Sequence, residues 1–581
     1  MCGIIGYVGL DARARTARVE HARDAMIHRG PDDAGLWTDD AACLGSRRLS
    51  ILDLSPAGHM PMTSADGRHV LVFNGAIYNF VELRAELAKE IAFRSSGDTE
   101  VILNGFRVWG WETLLDRLDG MFAFAIWDAH ARTLYAARDR MGEKPFFLAR
   151  HDDGLSFAST LTALLRLRGG PAIVDPFALD AYLTFGAVPA PLTMFEEAAQ
   201  LPPAHELRFS PDTGELRVSR YWELRFATKD RSRESDALDT LDAIVRRSIA
   251  RRLDEDAPTG MLLSGGADSC LVSAIASQES GRTLDAVTIG FHEARFDERP
   301  FTRLLAARHG VTLHEEVLTP RVATDLPAIV WRYGQPLADV SIVPDYYAAR
   351  AARRLMSVAL VGDGADELFG RHTRPRGIRA ARFLRALLPA PVRRALGVQL
   401  RDDYHPRLHA ALDGWHPDSL DRDASSHAVA RDVSAMSHSL EARSPFLGRE
   451  VLEYVATLPE SLRVRRWTSK YLLERLAERY VPGETLHRHR PALAMPASEW
   501  LRGDLAPFAR ATLDSARFLD RGWLCPDAVR RLLAEHATGA RDWGQQLWTM
   551  MILEIWARLA LDGSLAPDDP LDVHVLAESA R

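Results

Sequence analysis

Along residues 1–213 apolar and polar positions alternate in short runs. H-V-L-V-F-N-G (69–75), M-F-A-F-A-I-W-D (121–128) and R-T-L-Y-A-A-R-D (132–139) are the clearest, each bounded by turn residues. Period-two alternation of this kind predicts half-buried strands. Between them A-R-V-E-H-A-R-D-A-M (17–26) and F-V-E-L-R-A-E-L-A-K-E (80–90) carry helical spacing. Strand pairs interspersed with a few helices predict a layered α+β domain over residues 2–213. The chain then turns polar and charged, with F-S-P-D-T-G-E-L (209–216) and A-T-K-D-R-S-R-E-S (227–235), which predicts a linker over 214–235.

From residue 236 the pattern changes to apolar strand, glycine-rich loop, helix. The units are T-G-M-L-L-S-G-G-A-D-S-C-L-V-S-A-I-A-S (259–277), L-D-A-V-T-I-G-F (284–291) and S-V-A-L-V-G-D-G-A-D-E-L-F-G (357–370). Strands alternating with helices predict an α/β domain on a doubly wound parallel sheet over 236–565, with ligands at the carboxyl ends of the strands. Beyond Arg371 the pattern reads largely helical, ending in an acidic tail at 566–581.

Composition narrows the class of protein. A chain of 581 residues exceeds one core, and 47% hydrophobic with 26% charged residues is ordinary globular composition. No apolar run approaches the roughly 18 residues of a membrane span, and no signal peptide is expected. A net charge of −7 argues against general nucleic-acid binding. Arg376, Arg379, Arg382 and Arg385 recur three apart, which predicts a solvated basic face ahead of a docking face for an anionic partner. Four cysteines (Cys2, Cys43, Cys270, Cys525) without C-x-x-C spacing exclude a disulfide scaffold and point to the reducing cytoplasm. Of 72 basic residues only Lys89, Lys144, Lys229 and Lys470 are lysine. In an arginine-rich chain each lysine is a candidate for work that needs a compact point charge.

Two stretches carry candidate chemistry. Cys2 directly follows the initiator methionine in M-C-G-I-I-G-Y-V-G. Loss of Met1 would place a thiol and a free α-amine on one residue, and an N-terminal amine can serve as base for its own side chain. The plain alternative is a small buried hydrophobe. The loop S-G-G-A-D-S (264–269) ends an apolar strand and opens a helix. Its glycines let backbone N–H groups face an anion, Ser264 and Ser269 can donate to phosphate oxygens, and Asp268 can hold magnesium. The second loop, V-G-D-G-A-D-E (361–367), offers Asp363, Asp366 and Glu367 for a second magnesium contact, or is simply an acidic turn.

These two loops in this order resemble the ATP pyrophosphatase domain of glutamine-hydrolysing asparagine synthetases. The N-terminal half resembles their class II glutaminase domain, an N-terminal nucleophile fold with αββα layers. The likeness continues through H-R-G-P-D (28–32), R-L-S-I-L-D (48–53), F-N-G-A-I-Y-N (73–79), S-G-D-T-E (96–100), R-D-R-M-G-E-K-P (138–145), L-P-P-A-H (201–205), S-L-E-A-R-S-P-F-L (439–447) and Ser469-Lys470. It implies Cys2 as nucleophile, Asn74 and Gly75 as oxyanion hole, Arg48 on the glutamine carboxylate and Asp98 on its ammonium. It implies Leu262, Ile289, Val361 and Gly362 around adenosine. Ser264, Gly265, Gly266, Asp268 and Ser269 would hold pyrophosphate, with Asp268 and Asp366 on Mg2+. Lys470 and Glu441 are implied as catalytic groups of one synthetase site.

The implied reaction forms an acyl-adenylate from a carboxylate and ATP, which ammonia from glutamine then attacks through an internal channel. Small-molecule substrates are expected, with no nucleic acid, no membrane and a homodimer as one assembly. Ala76 stands for a usual glutamate, Met60 for a glutamine, Val433 for an arginine and Gly448 for an aspartate. His372 and the stretch 488–496 also depart. Because several departures fall on the acceptor side, three readings stay open: aspartate as acceptor, another carboxylate, or a homologue that only regulates or binds.

Overall fold

The computed structural model describes residues 1–227, 233–253, 257–369, 420–465, 468–486 and 495–569. The basic face at 376–385, His372, Lys229, nearly all of 488–496 and the tail from 570 lie outside these residues.

The alternating runs of the N-terminal half form two six-stranded sheets. In spatial order one contains Ala199–Gln200, Phe147–His151, Gly154–Ala158, Cys2–Gly9, Ala42–Arg48 and Asp33–Thr38. The other contains Leu216–Arg220, His205–Phe209, Thr133–Arg138, Gly120–Asp128, His69–Ile77 and Met62–Thr63. Every neighbouring pair is antiparallel. Inward-facing residues of both sheets, among them Ile4, Val72, Trp127, Phe146 and Phe157, pack into one apolar layer. The helices Thr16–Asp24 and Leu161–Arg168 cover the outer face of the first sheet, while Phe80–Leu87 and Thr99–Trp109 cover the second. The result is the expected αββα sandwich. Its second sheet continues past residue 213: Leu216–Arg220 pairs with His205–Phe209 at the edge, so the connecting segment begins later than the polar composition predicts.

The C-terminal half carries a parallel sheet ordered Thr312–Leu318, Asp285–Phe291, Thr259–Leu262, Val358–Leu360, Glu441–Arg443. The first of these strands in sequence, Thr259–Leu262, lies between Asp285–Phe291 and Val358–Leu360, so chain order reverses around it. Such a switch point leaves a crevice at the carboxyl ends of its strands. Both glycine-rich loops emerge there.

The halves are not separate bodies. Tyr182 and Phe195 of the N-terminal half share an apolar cluster with Trp548, Ile552 and Trp556 of the helix Gly544–Ala560. Phe195 and Trp556 lie 5.6 Å apart between ring centroids, and Tyr182 Oη donates to the Thr549 carbonyl at 2.8 Å. Trp556 is 1% exposed. Trp556→Ala therefore removes a large buried side chain from a shared core and should cost about 3–5 kcal/mol. Urea unfolding followed by circular dichroism should show one transition at a lower midpoint. A second transition left at the wild-type midpoint would mean that the halves are energetically independent.

Candidate functional site

Cys2 begins the central strand Cys2–Gly9 and pairs in register with Arg48, which ends the neighbouring strand. The strand pairs with Gly154–Ala158 only from Ile5 onward, so at Cys2 the ladder runs on the Arg48 side alone while the side chain faces a pocket. That pocket is lined by Cys2, Arg48, Gly75 and Asp98, with Met60 and Ala76 beside them. Cys2 and Asp98, 96 positions apart in sequence, thus meet in one pocket.

The Cys2 backbone N–H donates to Asn74 Oδ1 at 3.0 Å. Asn74 is fully buried, and its Nδ2 has no hydrogen-bond partner among the described residues. A buried donor without an acceptor is costly, and it is the kind of group an oxyanion hole keeps for a charge that develops only during reaction. Gly75 cannot carry a side chain: a Cβ there would lie 2.1 Å from the Met121 carbonyl oxygen. Arg48 is buried, and its Nη2 donates to the carbonyls of Leu52 and Asp53 at 3.1 and 2.6 Å, which fixes its guanidinium against the pocket wall.

Burial shifts the titrations here. It pushes the Cys2 thiol up, against the opposing pull of the Met1 amine, a Leu49 backbone N–H and Arg48. The resting group is therefore a thiol that needs a base. Burial also pushes Asp98 up to about 6, although the Ile77 N–H donates to its Oδ2 at 2.9 Å.

Glu441 is placed differently from the expectation that sets it beside Lys470. It starts its strand opposite Val358, at the amino end of the parallel sheet, whereas the glycine-rich loops leave the carboxyl ends. Its carboxylate lines the Cys2 pocket together with Arg443. One oxygen lies 3.2 Å from the Met1 amine and the other accepts from Arg443 Nε at 2.6 Å. Burial works to raise Glu441, but Arg443, the Met1 amine and Lys144 outweigh it and keep the carboxyl below its usual range. Arg443 in this pocket was not legible in sequence, since nothing in S-L-E-A-R announces contact with residue 1.

At the crevice the loop 264–269 leads into the helix Ala267–Glu279. Ser264 and Ser269 hydroxyls lie 2.8 Å apart. The Gly265 N–H donates to Glu298 Oε2 at 3.0 Å, so a carboxylate already rests against the loop amide. Glu298 is a further residue that spacing alone does not reveal. Gly362 of the second loop packs on this helix start, where a Cβ would lie 2.7 Å from the Ser269 nitrogen. Leu262, Val361 and Ile289 meet in one apolar cluster with Ala348 and Ala352.

Lys470 Nζ contacts Asp268 at 2.7 Å and Asp366 at 2.9 Å. Burial works to lower its pKa, yet the two carboxylates raise it above the ordinary lysine value. The backbone of Lys470 is left-handed, at φ 60°, a strained conformation for a side-chain-bearing residue that concentrates at functional sites. Two carboxylates converging on one positive charge beside serines and glycines form a donor set that fits magnesium on a polyphosphate. Lys144, in contrast, is buried against Asp432 at 2.9 Å. Gly448 lies where a Cβ would come 2.7 Å from Ser248 Oγ and 3.2 Å from Arg252 Nη2, so those two side chains occupy the space of the family's aspartate.

Comparison with known proteins accounts for the pairing of these two sites. A glutamine amidotransferase domain profile matches residues 1–222, and the asparagine synthase profile matches 240–558. A Bacillus subtilis protein named asparagine synthetase (glutamine-hydrolyzing) 1 is 29% identical over 98% of each chain. A Mycobacterium tuberculosis protein with the provisional name asparagine synthetase (glutamine-hydrolyzing) is 33% identical over 98% of each chain. A Gibberella zeae protein named amidase chry2 is 25% identical over 87% of this chain and 90% of its own. The chain belongs to the asparagine synthase family, with a glutamine amidotransferase domain as its N-terminal half.

Proposed function

We propose that the protein is a glutamine-dependent asparagine synthetase, converting aspartate, glutamine, ATP and water into asparagine, glutamate, AMP and pyrophosphate. The observation that carries this reading is the complete Cys2 pocket in a chain that also holds both glycine-rich loops at a sheet switch point. Release of Met1 would turn the Cys2 nitrogen into an α-amine. That amine takes the thiol proton as sulfur attacks the glutamine amide carbon, and Asn74 Nδ2 with the Gly75 N–H receives the developing oxyanion. The carbon–nitrogen bond breaks, ammonia leaves, and water cleaves the thioester to glutamate. Arg48 and Asp98 hold the glutamine carboxylate and ammonium.

In the crevice Leu262, Ile289, Val361 and Gly362 bind adenosine, and Ser264, Gly265, Gly266, Asp268 and Ser269 hold the departing pyrophosphate. Asp268 and Asp366 would hold Mg2+, which would supply charge neutralisation on the phosphates. Lys470 supplies a point charge to the same phosphates. The aspartate side-chain carboxylate attacks the α-phosphorus, pyrophosphate leaves, and ammonia then displaces AMP from the acyl-adenylate. The four free cysteines fit a reducing, cytoplasmic setting.

The occupied space at Gly448 favours a second reading, in which the same chemistry amidates a carboxylate other than aspartate. One assay separates the two: AMP formation with glutamine, ATP and magnesium, with and without aspartate. Aspartate-dependent AMP matched by asparagine is expected. Glutamate release without aspartate-dependent AMP would transfer the proposal to the other acceptor.

Cys2→Ala should abolish glutamate release while AMP formation from added ammonium and aspartate continues; surviving glutamine hydrolysis would refute Cys2 as nucleophile. Asp98 must be ionised to take the substrate ammonium, and its value of about 6 sets where that charge is lost. It is carboxylate above that pH and neutral below it. The kcat/KM for glutamine should thus fall about tenfold per pH unit below about 6, a limb that Asp98→Asn should remove along with most glutamine affinity.

A further inference from the structure

Three buried charges meet where the halves join. Arg29 Nη2 lies 2.8 Å from Asp432 Oδ2, and Lys144 Nζ donates to Asp432 Oδ1 at 2.9 Å. Arg29 and Lys144 belong to the N-terminal half, Asp432 to the helix Leu420–Met436, and each side chain is at most 2% exposed. Burial works to raise Asp432, but the two cations outweigh it and keep its carboxyl below the usual range. An apolar trio of similar volume would commonly be as stable or more so, so stability alone does not explain charges here.

The geometry around them does. Arg29 Nε donates to the backbone carbonyl of Cys2 at 3.2 Å, itself in buried surroundings. The other side of Cys2 is set by its ladder with Arg48 and by Asn74. A guanidinium is planar, so fixing Nη2 on Asp432 also fixes the direction in which Nε points. Asp432 has a defined place of its own because the preceding residue anchors the helix. Arg431 binds Asp363 through Nε at 2.8 Å and Nη2 at 3.2 Å, and Asp345 through Nη1 at 2.5 Å. Two adjacent residues therefore tie this helix to the acidic loop of one half and to the first strand of the other.

We propose that Asp432 is a positioning residue for glutamine cleavage, supplied by the C-terminal half: through Arg29 it holds the Cys2 carbonyl and so aims the thiol and α-amine. This inference rests on the reading of Cys2 as nucleophile and adds a second-half requirement to it. Asp432 touches no substrate in this arrangement, so its removal should act on turnover and leave recognition intact.

The test uses the full-length chain with glutamate release as readout. Asp432→Asn should lower kcat by roughly ten- to a hundredfold, the scale expected when a reacting group is slightly misaimed. KM for glutamine should stay within about twofold, since Arg48 and Asp98 are untouched. AMP formation from added ammonium and aspartate reports whether the variant is folded. Arg29→Lys keeps a cation against Asp432 but lacks the Nε donor, and should show the same loss of kcat at steady KM. It serves as the deciding variant if Asp432→Asn loses ammonium-dependent activity as well. A folded Asp432→Asn with wild-type kcat, or Arg29→Lys with wild-type kcat, would overturn the proposal. Wild-type protein that releases no glutamate would overturn the nucleophile reading, and this inference with it.

Discussion

The seam between the two halves is the constraint on which the rest depends. An apolar core runs through it from Tyr182 and Phe195 to Trp548 and Trp556, and a carboxylate with two cations is buried beside that core. Charges removed from water in this way are tolerable only while their partners stay in place. An opened seam would expose apolar surface and leave Arg29, Lys144 and Asp432 to be hydrated separately. The first residues of the chain share this closure, since Met1 packs with Ala257, Val358 and Met436 of the other half. Pocket, Cys2 and inter-half contact are therefore one packed object.

The two sites solve their electrostatic problems in opposite ways. Around Cys2 nearly everything is buried, so desolvation dominates: the thiol and Asp98 are both shifted toward their neutral forms, and Asn74 keeps an unused donor. Each of these features costs stability, and each is useful only when substrate charge arrives. At the crevice the groups are wetter and partly paired. Lys470 sits between Asp268 and Asp366, whose side chain is 56% exposed, and Glu298 rests on the Gly265 amide. Opposed charges with access to water can exchange partners at small cost.

The departures from the family pattern are not uniform in physical effect. Met60 and Ala76 are buried and put apolar groups on the wall of the Cys2 pocket, leaving Asp98 and Glu441 as its carboxylates. Gly448 is tighter: the volume of a side chain there is taken by Ser248 and Arg252. The first change removes charge from a pocket wall, whereas the second concerns only space.

Local pattern determined a large share of this protein. Period-two runs such as 69–75 and 121–128 became strands of the sandwich, and the strand-loop-helix units at 259–277 and 357–369 became the two sides of the crevice. Both are legible because side-chain alternation and glycine-rich turns act over a few residues. Cys2, Asn74 and Asp98 were legible as motif residues, and the fold brings Cys2, Asp98 and Gly75 of the strand His69–Ile77 to one pocket. Tertiary structure alone decided the rest. The sheet runs on to Arg220 because edge pairing, not composition, ends a domain. Glu441 faces the Met1 amine because its position along a parallel strand sets it at the amino end, and strand register is not written in S-L-E-A-R. The contacts of Glu298 with Gly265 and of Asp432 with Arg29 join residues 33 and 403 positions apart. Ion pairs across such separations depend on how whole elements pack, and no local spacing encodes them.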